Sequence, residues 1–464
     1  MLGLGPGGEE VAERTAEAGW SVLGIDAALV GGECPYYGCI PSKMILRGAE
    51  LLAEARRVDG MSGRAAVEPD FTPVADRIRD EATDDWDDRA AVERFENLGG
   101  TFRRGAGRLC GRDSAGRLIV EVGGHRYTGH RVVVATGTTP AIPPIDGLAD
   151  LRATGSGPDG PVWTNRDIVK ARTVPASLVV IGGGAIGCEL AQGFARFGSR
   201  VSVIEGGDRL LAPEEPEASA VITDVFARAG IEVICDARVT SVHPGGDGVQ
   251  VRLADGRSAT GTKLLVAAGR SLNLPDIGLD SVGLDPGVRN LPVDDHLRVL
   301  GADAGPVEGV FAVGDVTGRG AFTHVAVWQA RVLVAHLLGH NEQFGGYHGL
   351  AWVTFTDPEV GRVGLAEAQA REQGLRVRVG VQQLSANSRG EIHGPGNDGF
   401  VKLVEDAERG VLVGATVVGP YGGEILGLLT LAVHAEVPTH TLASMHYSFP
   451  TLHRAVLEAV RALA

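Results

Sequence analysis

Two cysteines, Cys34 and Cys39, stand in the stretch Gly31-Gly-Glu-Cys-Pro-Tyr-Tyr-Gly-Cys-Ile-Pro-Ser-Lys43. Such a pair can exchange electrons as dithiol and disulfide, bind a metal as thiolates, or lie inert in a core. In a regular helix, residues five apart rise roughly 7.5 Å. A disulfide tolerates roughly 4.4–6.8 Å between α-carbons. A bridge here therefore requires a distorted backbone, which Pro35 and Gly38 can supply. A zinc site would need two further ligands, and Cys110, Cys188 and Cys235 are isolated singles. The odd total of five cysteines argues against a disulfide-stapled secreted scaffold.

Two glycine turns could cradle phosphates. Gly182, Gly184 and Gly187 follow the apolar run 178–181 and open a helical stretch, 188–196. Glycines at this spacing make a tight turn and let a pyrophosphate reach the helix N-terminus. Glu205 closes the next strand, 200–205, where a carboxylate accepts ribose hydroxyls. A carboxylate there repels a 2′-phosphate, so NADH is favoured over NADPH, with Arg209 as the residue that could rescue NADPH. The other turn has the same order: Gly3, Gly5 and Gly8, a helix to about residue 18, a strand over 20–25, and Asp26. The strand that should precede Gly3 is reduced to Met1 and Leu2. The natural start is therefore expected several residues upstream, and the central position of the sheet is expected to be left with a cavity and unpaired ladder groups.

The elements that must position these residues fall into blocks. The first runs over 1–150. The second, 151–274, carries the complete glycine turn. A return segment over 275–345 contains Gly309-Val-Phe-Ala-Val-Gly-Asp315 and a helical run from about Thr323, and a last block covers 346–464. Strands alternating with helices predict parallel sheets in the first two blocks. With 464 residues, 44% hydrophobic and 22% charged, the chain is globular and too long for one ordinary core. A net charge of −15 leaves no basic stripe for nucleic acid. Apolar runs stop after about ten residues, so no membrane insertion is expected. The N-terminus lacks a basic, apolar signal, which gives a cytoplasmic expectation.

The cysteine stretch resembles that of the class-I pyridine nucleotide–disulfide oxidoreductases, the flavoenzyme family of dihydrolipoamide dehydrogenase, glutathione reductase and mercuric reductase. It matches through Gly31, Gly32, Cys34, Gly38, Cys39, Pro41, Ser42 and Lys43. The resemblance extends along the chain. Ala135-Thr136-Gly137 is similar to the family's ATG turn, and Gly269-Arg270 with Asn273 to its GRxPN, with Leu272 in place of proline. Gly314-Asp315 is similar to the second FAD motif, and Phe355-Thr-Asp-Pro-Glu359 to the opening of the dimerisation domain. The resemblance implies an α/β fold with two doubly wound, Rossmann-like domains for FAD and NAD(P), plus a C-terminal α+β dimerisation domain. It further implies a homodimer. Cys34 would be the thiol that exchanges with substrate and Cys39 the thiol facing the flavin. Lys43 would sit near the flavin and pair with Glu189, and Asp315 would bind the ribitol. The helix near Thr323 would aim its positive end at the flavin. His324, which lies there, is read as structural.

The pattern departs near the C-terminus. Members acting on dithiols carry His-Pro-Thr-x-x-Glu, with the histidine serving the partner subunit's site as acid and base. This chain has Phe449-Pro450-Thr451-Leu-His453-Arg454. Phenylalanine cannot shuttle protons, and loss of a positioned acid–base costs roughly 10²–10⁴ in rate. His446, Tyr447, His453 and Glu458 are the nearby titratable residues. The expected function is therefore transfer of electrons from NADH through FAD to Cys34–Cys39 and on to a small-molecule disulfide or quinone acceptor. Two alternatives are direct quinone reduction by the flavin and a degenerate, non-catalytic homologue.

Overall fold

The computed structural model describes residues 1–246, 248–340 and 345–463. The chain forms two compact units. One comprises Met1–Pro41, Asp76–Ala141 and Arg270–Phe344; the other comprises Ser42–Ala75, Ile142–Gly269 and Gly345–Ala464.

The first unit is built on a mostly parallel sheet. Leu23–Asp26 pairs in parallel with Thr101–Arg104. Pro306–Ala312 pairs in parallel with Val132–Val134 and antiparallel with Arg298–Leu300. Between these two halves stands Leu2, bridged in parallel to Ile25 on one side and to Val134 on the other. Its N–H donates to Val133 O at 2.9 Å and its carbonyl accepts from Ala135 N at 2.7 Å. On the other side Gly3 N donates to Ile25 O, and Ile25 N donates to Met1 O. The expected open ladder is thus closed at this point. Successive residues of a strand face opposite neighbours, so Leu2 serves one side while Met1 and Gly3 serve the other, and three residues satisfy the groups that face them. The Leu2 side chain is 2% exposed and packs into a core with Val11, Ile25, Val132 and Val134. The helices Pro6–Glu17 and Thr323–Leu338 belong to this unit.

The second unit contains a five-stranded parallel sheet in the order Glu232–Ile234, Arg200–Ile204, Ser177–Ile181, Lys263–Val266, Val162–Trp163. Every residue of Ser177–Ile181 is buried, as a central strand covered on both faces must be, and its Leu-Val-Val-Ile composition follows from that. The helix Ala185–Arg196 leaves its carboxyl end. The remainder is an antiparallel sheet, in the order Ala351–Thr354, Glu359–Gly364, Val411–Gly419, Phe400–Asp406, Val377–Gln383, packed with the helices Gly422–His434 and Ala455–Arg461. The fold is therefore α/β, with a Rossmann-like sheet in each unit and a C-terminal α+β layer. Among the described residues no helix is long and apolar enough to cross a membrane.

Candidate active site

The two cysteines are bonded to each other. A short helix, Glu33–Tyr37, ends at Gly38, whose φ of −135° and ψ of −105° are not helical. A new helix, Cys39–Arg57, starts immediately after it. This break brings the α-carbons of Cys34 and Cys39 to 4.8 Å, well inside the disulfide range that an unbroken helix would miss. Cys39 Sγ lies 3.4 Å from Thr323 Oγ1, on the first residue of the helix Thr323–Leu338. That end carries the partial positive charge of a helix N-terminus, which favours negative charge on a neighbouring sulfur. His324 is exposed and stacks on Phe322 at 5.4 Å. Glu33, next to Cys34, forms an ion pair with Arg270 at 3.1 Å.

The glycine turns are built alike. Gly3 has φ +93°, and a Cβ there would collide with Ala135 O. Gly182 has φ +110°, and a Cβ there would collide with Ala267 O. Gly8 and Gly187 abut the carbonyls of Gly3 and Gly182, leaving no room for a side chain, whereas Gly5 and Gly184 open onto free space at the helix starts. The acids match as well. Asp26 accepts from Leu4 N and Ala28 N, both at 2.7 Å. Glu205 accepts from Gly183 N at 2.6 Å and Gly207 N at 2.7 Å. Burial pushes the Asp26 carboxyl up, outweighing the pull of its two amide donors.

Further residues of the first unit converge on the same region of its sheet. Asp315 accepts from the Thr138 hydroxyl at 2.6 Å, and that hydroxyl accepts from Arg270 Nε at 2.6 Å. Asn273 donates to Thr136 O at 2.9 Å. Gly137 and Gly314 have φ of +60° and +80°. The Thr136 hydroxyl is buried and, among the described residues, has no hydrogen-bond partner. A buried orphan donor calls for a ligand to complete it.

In the second unit Lys43 Nζ donates to Glu189 Oε2 at 2.8 Å. Glu189 is 5% exposed, and its other oxygen accepts from Phe355 N at 2.8 Å. The ammonium also lies 4.5 Å from the centroid of the Phe355 ring. Gly269, at φ +111°, opens onto free space. At the C-terminus Phe449 is 68% exposed, with the Arg454 guanidinium 5.6 Å from its ring centroid and 3.6 Å from Glu458. Tyr447 is buried and donates to Leu442 O at 3.1 Å; burial pushes its hydroxyl up. His446 is exposed, and His453 and Glu458 are half-buried, so all three have access to water.

The model of the pyridine nucleotide-disulphide oxidoreductases matches residues 1–330, and that of the same family's dimerisation domain matches residues 350–460. The chain belongs to this family. Dihydrolipoyl dehydrogenase of Chlorobaculum tepidum is 32% identical over 467 residues, covering 99% of this chain and 95% of that protein. LpdA from Mycobacterium tuberculosis superposes with a TM-score of 0.84 at 27% identity, covering 99% of this chain and 98% of that one. The HOCl-induced flavoprotein disulfide reductase RclA from Escherichia coli shares the fold, with a TM-score of 0.82 at 23% identity and the same coverage.

As a family member the protein is a dihydrolipoyl dehydrogenase-like flavoprotein disulfide oxidoreductase, an FAD-binding enzyme that depends on a pyridine nucleotide. Its own residues fit that cofactor set. The orphan Thr136 hydroxyl and the open ground at Gly5 suit FAD in the first unit, and the open ground at Gly184 suits a nicotinamide dinucleotide in the second. The glycines and acids singled out in the sequence lie at turns and strand ends, and the two cysteines flank Gly38; Thr138, the contact of the Thr323 hydroxyl with Cys39, and the contact of Phe355 with Lys43 and Glu189 were not anticipated. Thr138 follows the ATG turn by one residue and was within reach of the motif. Thr323 and Phe355 carry no chemical signal of their own.

Proposed function

We propose that the enzyme is a homodimer that moves electrons from NADH, in preference to NADPH, through FAD to the Cys34–Cys39 disulfide and on to a small-molecule disulfide or quinone. On this reading residues 1–150 and 275–345 hold FAD, 151–274 hold the nicotinamide nucleotide, and 346–464 dimerise. The observation that carries it is the Cys34–Cys39 bond across the Gly38 break, with Cys39 against the start of the Thr323–Leu338 helix.

FAD, when bound, supplies the two-electron link between nicotinamide and sulfur. Gly3, Gly5 and Gly8 receive its pyrophosphate at the start of the Pro6–Glu17 helix, Asp26 its adenosine ribose, Thr136 and Gly137 its middle, and Gly314 and Asp315 its ribitol hydroxyls. Gly182, Gly184 and Gly187 hold the pyrophosphate of NADH, Glu205 its ribose, and Gly269 leaves room beside it. Lys43, held by Glu189, would supply an ammonium to stabilise negative charge on the flavin. Two electrons then break the Cys34–Cys39 bond. Cys39 keeps the charge beside Thr323, while Cys34, giving its proton to water, attacks an acceptor disulfide and expels one thiolate; Cys39 then attacks the mixed disulfide, which re-forms the Cys34–Cys39 bond and expels the second thiolate.

The NADH preference has two supports. Glu205, held by Gly183 N and Gly207 N beside the Gly182 turn, carries a carboxylate that would repel a 2′-phosphate. Arg209, the candidate for a 2′-phosphate, donates instead to Ala212 O at 2.8 Å and contacts Asp208 at 3.2 Å.

Exposed Phe449, in place of the expected histidine, favours a second reading in which a quinone takes electrons from the flavin directly. Replacing Cys39 with serine separates the two. Under the first reading the variant loses NADH-driven disulfide reduction and keeps dye reduction; disulfide reduction at the wild-type rate would sink it. Anaerobic titration with NADH should take up four electrons per subunit in the wild type and two in Cys39→Ser.

A further inference from the structure

Glu189 opens a stripe of polar residues on the Ala185–Arg196 helix. Gln192 and Arg196 lie three and seven positions on, within roughly 60° of Glu189 around the helix axis. All three are buried, at 5%, 1% and 9% exposure, so their polar atoms must be satisfied by protein groups. All three bind the segment 355–357. Glu189 accepts from Phe355 N at 2.8 Å. The Gln192 amide accepts from Asp357 N at 2.7 Å and donates to Asp357 O at 2.8 Å, clasping that residue's backbone on both sides. Arg196 donates to the Asp357 carboxylate at 2.6 Å.

The same carboxylate accepts from Arg57 at 2.8 Å. Arg57 is the last residue of the helix that carries Lys43, and Arg196 is the last residue of the helix that carries Glu189. These two helices are thus tied at one point by Lys43–Glu189 and at another by Arg57–Asp357–Arg196. Between the ties they pack closely: a Cβ on Gly193 would sit 3.0 Å from Ile45 Cγ2. Burial alone would raise the Asp357 carboxyl, but Arg196 and Arg57 together hold it below the usual carboxylate range, so it stays ionised.

We propose that Gln192 and Asp357 are positioning residues: they fix the Phe355 amide and ring, and through them the direction of the Lys43 ammonium. The role rests on the reading above, in which Lys43 and Glu189 assist electron transfer from NADH. A longer Lys43–Glu189 distance or a tilted ammonium weakens a charge that must be aimed, and misplacements of this kind cost up to about 10²-fold in rate.

The test is stopped-flow reduction of the holoenzyme's flavin by NADH without oxygen, read as a limiting rate and an apparent Kd. Gln192→Met keeps the side-chain length and removes both clasps on Asp357. It should lower the limiting rate about tenfold and leave the apparent Kd within about twofold. Glu189→Gln should lower the rate further, and the double variant should be no slower than Glu189→Gln alone, because both act through one group. A wild-type limiting rate in Gln192→Met beside a slow Glu189→Gln overturns the positioning role and leaves the functional reading standing, as does simple additivity in the double variant. A wild-type rate in Glu189→Gln overturns the functional reading itself. If Gln192→Met fails to fold, Arg57→Gln, which cuts one of the two ion pairs to Asp357, takes its place. About threefold slowing with unchanged Kd supports the role, and no slowing overturns it.

Discussion

The turn at Gly3 is preceded by two residues of strand, and the turn at Gly182 by the five-residue strand Ser177–Ile181. Yet both meet the same surroundings. A carbonyl of the next strand crowds the first glycine, the first glycine's own carbonyl crowds the third, and the second faces open space. An acid from the neighbouring strand accepts an amide of each turn. The comparison teaches that the phosphate cradle is shaped by what stands beside and after it, namely Ala135 or Ala267 and the first helical turn.

Variants can break or sharpen this. The largest effects are expected for Gly3→Ala and Gly182→Ala, which place a methyl against backbone at positive φ. Each should destabilise the protein by about 2–4 kcal/mol in denaturant titrations. If Gly3→Ala costs far less than Gly182→Ala, the two carbonyls that crowd these glycines differ in how far they can yield, and the likeness is only apparent. Gly5→Ala and Gly184→Ala form the contrasting pair. Stability should change by about 0.5 kcal/mol or less, because their methyl groups point into open space. Binding should still suffer: Gly5→Ala should be isolated with reduced flavin absorbance, and Gly184→Ala should raise the KM for NADH about tenfold.

Replacing Glu205 with alanine should narrow the preference for NADH over NADPH about tenfold, as a ratio of kcat/KM values. The smallest effect concerns Asp26. Its folded carboxyl is raised by burial, so the native state holds that proton more tightly than the unfolded chain. The stability it contributes is present below the ordinary aspartate value of about 3.9 and declines as pH rises through the higher folded value. Asp26→Asn should remove that decline in melting curves taken across the acidic range. An unchanged slope would mean that Asp26 does not titrate differently in the folded protein.

Most of the fold was legible because its signals are local. The run at 178–181, the spacing of each glycine triplet and the closing acids are all readable over about 30 residues. The bridge at Leu2 was not, since a stub of two residues has no periodicity to read, and its pairing is supplied by strands more than 20 and 130 positions away. Of the site, Cys34 and Cys39 declared themselves by type and spacing, whereas the roles of Lys43 and Glu189 came only through resemblance to the family. Gln192 and Arg196 were missed because polar residues on a helix normally face water. Their partner, Asp357, lies more than 160 positions further along, so nothing near them marks them as buried.

The break at Gly38 has a consequence beyond letting the bond form. The α-carbon spacing of 4.8 Å goes with the turn of the backbone at Gly38. A backbone that kept this turn after reduction would hold the two thiols at high effective concentration, like the jaws of a clamp that has been unlocked but not opened. A mixed disulfide at Cys34 would then be cleared by its neighbour faster than by any free thiol in solution, which lets one short loop serve both as the point of attack and as its own release.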